Sequence, residues 1–422
     1  MIAEHPDRQA LMDEVHARPV ELIEASCRLR RLVFVMPSRP GAMSEAFDRF
    51  VLFCQARGYK MPMPASRLYS FAPGRRQVTW EFHTEFVTVT WRGPLDDAES
   101  FPTELGLEAI GEGLLIGATR IDVIADETVP DRLLPGFELP SLCLADIENG
   151  RGQVATDFVP DADSFTRFEL AAGGLTPLRR SIIARRLLEI DTYRTMALLG
   201  LPLARSAAPD LRAIELELTD LMAALSDAAT PESRQASLNA LQDLSVRNGQ
   251  LSERLDYRFA AGRAYGDILG VRLAGLRERS TTRGSTLTHF LGNRVDPGLA
   301  TCAAVEKRLA KSSTKIERAI ELLNVRIGVD TQLQNAALLD NIARTARSQF
   351  LLQRTVEGLS VIAISYYMLG ILSYVMAGPL GELHWDKAMA LSLSAPFVVG
   401  AVWLMARHIR KLHDQSPPKS TT

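Results

Sequence analysis

The sequence predicts an α+β domain, then a helical layer, a long stalk helix and a C-terminal two-helix transmembrane hairpin. Three observations carry this reading. Short apolar runs with strand character crowd roughly the first 170 residues. From Pro177 onward, apolar residues recur at helical spacing. Near the C-terminus, two uncharged apolar stretches stand close together. The expected organisation is residues 1–176 for the α+β domain, 177–296 for the helical layer and 297–357 for the stalk. Residues 358–378 and 388–406 form the two spans, 379–387 a short outer loop, and 407–422 a basic tail.

In chain order, "RRLVFVM" (30–36) reads as a strand. "SEAFDRFVLFCQARG" reads as an amphipathic helix opened by Ser44 and closed by Gly58. "RLYSFAP" and "RRQVTWEFHTEFVTVTWRG" read as strands with a turn at Pro73-Gly74. "TRIDVIAD" is another strand, and "SLCLADIENGRGQVATDFV" a hairpin turning near Asn149-Gly150. Strands so close together imply a largely antiparallel sheet.

"LRRSIIARRLLEIDTYRTMALLGLP" and "LRAIELELTDLMAALSD" are then two helices, with an Arg185–Glu189 ion pair on the first. A third helix follows Pro231 and breaks at Asn248-Gly249, with a further helical stretch beyond. Proline is absent between Pro297 and Pro379, so one nearly uninterrupted helix runs from Leu299 into the first span. At ~1.5 Å per residue its part before the membrane reaches roughly 90 Å. A heptad-like stripe marks it: Val305, Leu309, Ile316, Ile320, Leu323 and Ile327, then Leu338, Ile342, Ala346 and Phe350. Packing against the preceding helices and self-association both account for such a stripe.

"LSVIAISYYMLGILSYVMAG" (359–378) has the length that a ~30 Å hydrocarbon core requires. "AMALSLSAPFVVGAVWLMA" (388–406) is equally uncharged. Arg344, Arg347 and Arg354 precede the first span, and Arg407, Arg410 and Lys411 follow the second, whereas the loop holds Glu382, Asp386 and Lys387. The positive-inside rule places both termini in the cytoplasm and the loop outside, in a bacterial inner membrane. The N-terminus lacks a basic segment and an apolar core, so no signal peptide is expected. A net charge of -2 argues against a nucleic-acid partner. The four cysteines show no metal or redox spacing and are expected to be reduced core residues.

Chemistry-bearing patterns are few. On a strand, Glu81, His83 and Glu85 of "WEFHTEF" would share one face and could take a divalent cation; an exposed polar face is the competing reading. In "EVHARP", Glu14, His16 and Arg18 fall together in a turn. "GEGLLIG" departs from a dinucleotide fingerprint, and no catalytic residue is assigned. In the first span, Ala363, Tyr366, Gly370, Ser373 and Ala377 make a stripe of small and polar residues, suited to helix contact or to a pore lining.

Read together, "EVHARP", "WEFHTEF", "LLEIDTYRTMALLGLP" and "TVEGLSVIAISYYMLGILSY" resemble a family of uncharacterised, membrane-anchored bacterial proteins, a domain of unknown function. The resemblance covers nearly the whole chain and implies attachment through the C-terminal segments. The build is also similar to that of CorA-type magnesium channels, which are pentamers whose first span ends in Tyr-Gly-Met-Asn. Tyr374-Val375-Met376-Ala377 stand at that place here, so the Gly and the Asn are replaced. This second resemblance implies a homo-oligomer that conducts or senses a cation, with Glu382, His384 and Asp386 shaping the outer mouth. The alternative is a non-transporting module whose hairpin tethers and oligomerises the cytoplasmic domain in the lipid bilayer. A membrane-tethered metalloenzyme using Glu81, His83 and Glu85 is a third reading.

Overall fold

The computed structural model describes residues 5, 8, 12, 21–63, 67–227, 230–375 and 387–414. The chain divides into two compact units, Met1–Glu321 and Leu322–Thr422.

The first unit is built on a nine-stranded sheet. Its strands are β1 (Cys27–Val35), β2 (Leu68–Phe71), β3 (Gln77–Phe82), β4 (Phe86–Gly93), β5 (Leu114–Ile124), β6 (Cys143–Ile147), β7 (Gly152–Thr156), β8 (Thr166–Ala171) and β9 (Arg279–Ser280). They lie in the order β2-β3-β4-β1-β5-β8-β7-β6-β9. All neighbours are antiparallel except β5 and β8, so the sheet is mixed. The hairpin at Asn149-Gly150 forms as expected, with both residues at positive φ.

Strand alternation sorts side chains onto two faces. On the inner face, Leu29, Ile121, Val123, Phe168 and Leu170 pack against α2 (Pro177–Leu198), which contributes Ile183, Leu187 and Ile190. On the outer face, Leu32, Trp80, Val89 and Trp91 pack under α1 (Ala42–Ala56). The ring of Phe50 stacks on Trp80 at 4.4 Å between centroids. Helix α1 starts two residues before Ser44, after Gly41 in a left-handed conformation, so Ser44 is inside the first turn rather than its cap.

Helix α3 (Gly200–Asp227) and helix α4 (Pro231–Ala274) complete the helical layer. Two boundaries differ from the expectation. Helix α2 ends at Leu198 and α3 begins at Gly200, so that Pro202 and Pro209 belong to α3 and it starts well before Leu211, and α4 passes Asn248-Gly249 without interruption. Asn248 is buried at 3% exposure, and its side-chain amide donates to the Leu309 carbonyl at 3.3 Å. A tertiary partner there outweighs the weak helix propensity of the pair.

Helix α5 (Leu287–Val375) begins some ten residues earlier than expected and includes Pro297. Its N-terminus is fixed by Glu278, whose carboxylate accepts from the Leu287 N–H at 2.9 Å, the Thr288 N–H at 3.0 Å and the Thr288 hydroxyl at 2.6 Å. A carboxylate on otherwise unpaired N–H groups stabilises a helix start and complements its dipole. Glu278→Ala is therefore expected to destabilise the unit by about 1 kcal/mol, read as a lower urea midpoint at an unchanged slope.

The heptad-like stripe splits in two. Val305, Leu309, Ile316 and Leu323 are buried, whereas Leu338, Ile342 and Phe350 are exposed. The first half is accounted for by packing within the chain, for which Asn248 and the Arg308–Glu215 ion pair at 2.6 Å supply polar locks. All four cysteines are free and buried.

In the second unit, the end of α5 and helix α6 (Lys387–Asp414) each contain a stretch long and apolar enough to cross a membrane. Only 6% of each stretch is buried.

Candidate functional site

On the inner face, where β1–β4 meet α2, the sheet and helix enclose a cleft of about 120 Å³. Arg31, Glu81, Thr90, Ser181 and Arg185 line it. Cross-strand pairing brings the two charged sheet residues together: Arg31 stands opposite Thr90, and Glu81 opposite Thr88. Glu81 accepts from the Arg31 guanidinium and from the Thr88 hydroxyl, both at 3.1 Å. Arg31 Nε donates to Thr90 Oγ1 at 2.8 Å. Arg185 approaches Glu81 to 3.9 Å and donates to Glu189 at 3.1 Å, and Glu189 also accepts from Arg272 on α4. A chain of alternating charge, Arg31–Glu81–Arg185–Glu189–Arg272, thus runs from the sheet through α2 into the helical layer.

Burial alone would push the Glu81 carboxyl up. The charges of Arg31, His83 and Arg185, with the Thr88 hydrogen bond, outweigh it and hold Glu81 below the usual carboxylate range. Glu81 is an anion at neutral pH, positioned to accept hydrogen bonds rather than to take up a proton.

The grouping of Glu81, His83 and Glu85 on one strand face does not form. Strand β3 ends at Phe82, and His83 to Glu85 make the turn into β4. The His83 ring stacks on Phe86, with centroids 4.1 Å apart. Glu85 accepts from both terminal nitrogens of Arg258 (3.1 and 2.7 Å), from the Tyr257 hydroxyl (3.1 Å) and from the Tyr265 hydroxyl (2.7 Å). Burial, and then Glu85, push the Tyr265 hydroxyl far above its ordinary range, so it remains a donor. The two carboxylates therefore do separate work: Glu81 anchors the cleft, and Glu85 ties the hairpin turn to α4. Among the described residues, no group of three His, Cys, Asp or Glu side chains could hold a metal ion. Nor is Glu81 on an exposed polar face, because α2 covers it. The sequence reading missed Arg31, whose side chain is 7% exposed; it was legible only as the charge interrupting "RLRRLVFV".

In the second unit, Ser365 and Val402 are buried, at 4% and 8% exposure. A groove of about 620 Å³ lies between the two helices, lined by Val361, Ile364 and Met368 on one side and by Val402, Met405 and Ala406 on the other. Of the predicted stripe, Ala363, Tyr366 and Gly370 are exposed and Ser373 is half-buried. Tyr366 is 75% exposed, and a Cβ at Gly370 would meet nothing. Ala377 and the outer-loop residues Glu382, His384 and Asp386 lie outside the described residues, as do Glu14, His16 and Arg18.

A mixed-sheet α+β unit in a chain that ends in two helices able to cross a membrane defines the class of protein. The chain belongs to the family described as protein of unknown function (DUF3422), which it matches over residues 3–413. A comparison with curated proteins finds no match.

Proposed function

We propose that this is an integral membrane protein whose two C-terminal helices anchor the sheet domain on the cytoplasmic side of a bacterial inner membrane, without transport. The observation that carries this reading is the exposure of two apolar stretches long enough to cross a membrane, each only 6% buried, whereas the apolar strands and helices of the first unit close into continuous cores. In water such surface has no favourable environment; in hydrocarbon it has one. The arginines before the first span and the basic residues after the second support the orientation. The anchored domain would serve as a binding or sensing unit, with the charged inner cleft as its recognition surface. Alkaline carbonate treatment of membranes is expected to leave the full chain in the pellet, and a fluorescent-protein fusion after Thr422 is expected to be bright. Release into the supernatant, or a C-terminal alkaline phosphatase fusion that is active, would overturn the proposal.

One observation supports a second reading, a CorA-like oligomeric cation channel. The stripe of Ala363, Tyr366 and Gly370 is exposed, while Ser365 is buried, which leaves the stripe free to meet further copies around an axis. In this reading Glu382, His384 and Asp386 would form the outer mouth. It requires an oligomer in detergent and cation flux in liposomes that changes in Gly370→Leu. A monomer, or flux at the level of empty liposomes, sinks it and leaves the tether.

A further inference from the structure

The outer face of the sheet carries a second charged constellation. Register places Arg30 of β1 directly opposite Arg120 of β5, and Arg120 directly beside Arg167 of β8. Three guanidinium groups thus form one row across three strands. Like charges in directly paired positions destabilise a sheet, so the row demands an explanation. The next row holds Arg28, Asp122 and Glu169. The segments 94–111 and 126–141 cover these rows, through the Asp97 carbonyl on Arg28 and Arg30 (3.0 Å each) and the Leu133 carbonyl on Arg167 (3.2 Å).

Part of the counter-charge is already engaged. Asp122 takes Arg28 through two contacts, at 2.5 and 2.9 Å. Asp97 gives its carboxylate to Arg76, at 2.7 and 2.8 Å. Asp161 lies 2.9 Å from Arg120, and Glu169 is no nearer than 3.7 Å to Arg167. Among the described residues, the buried Nε atoms of Arg30, Arg120 and Arg167 make no hydrogen bond; the nearest carboxylate oxygens are those of Asp122, 3.8 Å from Arg120 Nε, and Glu169, 3.7 Å from Arg167 Nε. Arg30 itself is 3% exposed. Buried donors in native proteins have partners, and when no protein atom supplies one, a bound ion or water does.

From this juxtaposition we propose that the Arg30–Arg120–Arg167 row, with Arg28 beside it, binds an oxyanion of the phosphate or sulfate class. Planar guanidinium forks match the oxygens of such groups, and several on one surface neutralise a doubly charged ligand. The site is reachable, because the side chains of Arg28, Arg120 and Arg167 remain 19%, 18% and 20% exposed. Glu169 adds a second property. Burial first, and Asp122 second, raise its carboxyl to about 7, against the pull of Arg167, Arg120 and Arg28. As pH rises through that value Glu169 gains its charge beside the site, so anion affinity falls. The proposal stands apart from the membrane reading and from the inner cleft.

The test is calorimetric titration of sulfate, whose charge is constant over the range, into the full chain in detergent. The expected result is saturable binding that weakens from pH 6 to pH 8. Arg120→Gln is expected to weaken it about tenfold, while Arg263→Gln, on an exposed helix pair, leaves it unchanged. Glu169→Gln removes a carboxylate and no arginine; it is expected to tighten binding at pH 8 and to flatten the pH dependence, even if Arg120→Gln fails to fold. Absence of saturable sulfate binding to the wild type, or a Glu169→Gln protein with unaltered affinity and pH dependence, overturns the proposal. Inorganic phosphate and dihexanoyl phosphatidic acid as competitors separate the sources: displacement by phosphate identifies a free oxyanion, and displacement by the phosphatidic acid alone a lipid headgroup.

Discussion

Glu81→Ala is expected to lower the unfolding free energy of the sheet domain by about 3–5 kcal/mol. The pair it breaks is closed from water, with the Arg31 and Glu81 side chains 7% and 9% exposed. Removing the carboxylate leaves Arg31 desolvated, with, among the described residues, the Thr90 hydroxyl left to receive it. The cost lies in that orphaned cation rather than in the worth of the ion pair itself. The double variant Arg31→Met, Glu81→Leu is therefore expected to recover most of the loss, since replacing both charges with apolar groups of similar size removes the desolvation penalty as well. Trp80 and Trp91 are fully buried in the same unit, so the tryptophan emission shift during urea unfolding of the detergent-solubilised chain reports the transition. The sign with pH follows from the lowered carboxyl of Glu81. A depressed folded value stabilises above the ordinary value of 4.5 and loses that contribution as pH falls through the folded value. The gap between wild type and Glu81→Ala should accordingly be full at pH 7 and narrow under acid. A single variant as stable as the wild type would show that water entering through the cleft solvates the Arg31–Glu81 pair.

The elements that sequence reasoning recovered share a physical property: each is specified by neighbours close in the chain. The hairpin at Asn149-Gly150 needs only two residues that tolerate positive φ. The two stretches long and apolar enough to cross a membrane need only unbroken apolar length. What it missed depends on distant partners. Strand β8, "TRFELA", alternates Thr166, Phe168 and Leu170 inward with Arg167 and Glu169 outward, but Glu169 is buried and Arg167 half-buried, so the polar face is not the solvated one that alternation alone implies. Strand β9 is two residues long and exists only because β6 is beside it. Helix breakers misled for a related reason. Gly298 follows Pro297 in α5, where its lack of a side chain lets Leu198 of α2 come within 2.6 Å of the Cβ position, so the glycine serves helix approach rather than termination. The two charged sites were hidden most completely. "RLRR", "TRID" and "TRFEL" are unremarkable singly; only the antiparallel β1–β5 and parallel β5–β8 registers bring their arginines into one row. In the same way, Glu81 read as one of three residues on a face until the strand was seen to stop at Phe82 and Arg31 and Arg185 were seen to meet it.

Glu169→Gln is expected to stabilise the sheet domain at pH 8 by roughly 3 kcal/mol, taking 1.36 kcal/mol for each unit between the ordinary 4.5 and the raised value of about 7. Burial is the main cause of that raised value, and the adjacent Asp122 adds to it. The sign is opposite to that for Glu81. A carboxyl with a raised folded value is easiest to accommodate when protonated, so its contribution is fully present below 4.5 and is lost as pH rises through about 7. The glutamine is neutral throughout. Wild type and variant should then coincide near pH 4 and separate progressively up to pH 8, with the variant the more stable. Urea midpoints of the full chain across that range, followed by tryptophan emission, measure the separation. Bound sulfate should enlarge it, because the anion is repelled by ionised Glu169 and stabilises the folded variant by mass action. A separation that does not vary with pH would place Glu169 in solvent with an ordinary titration, and would remove the pH dependence expected of the outer-face site.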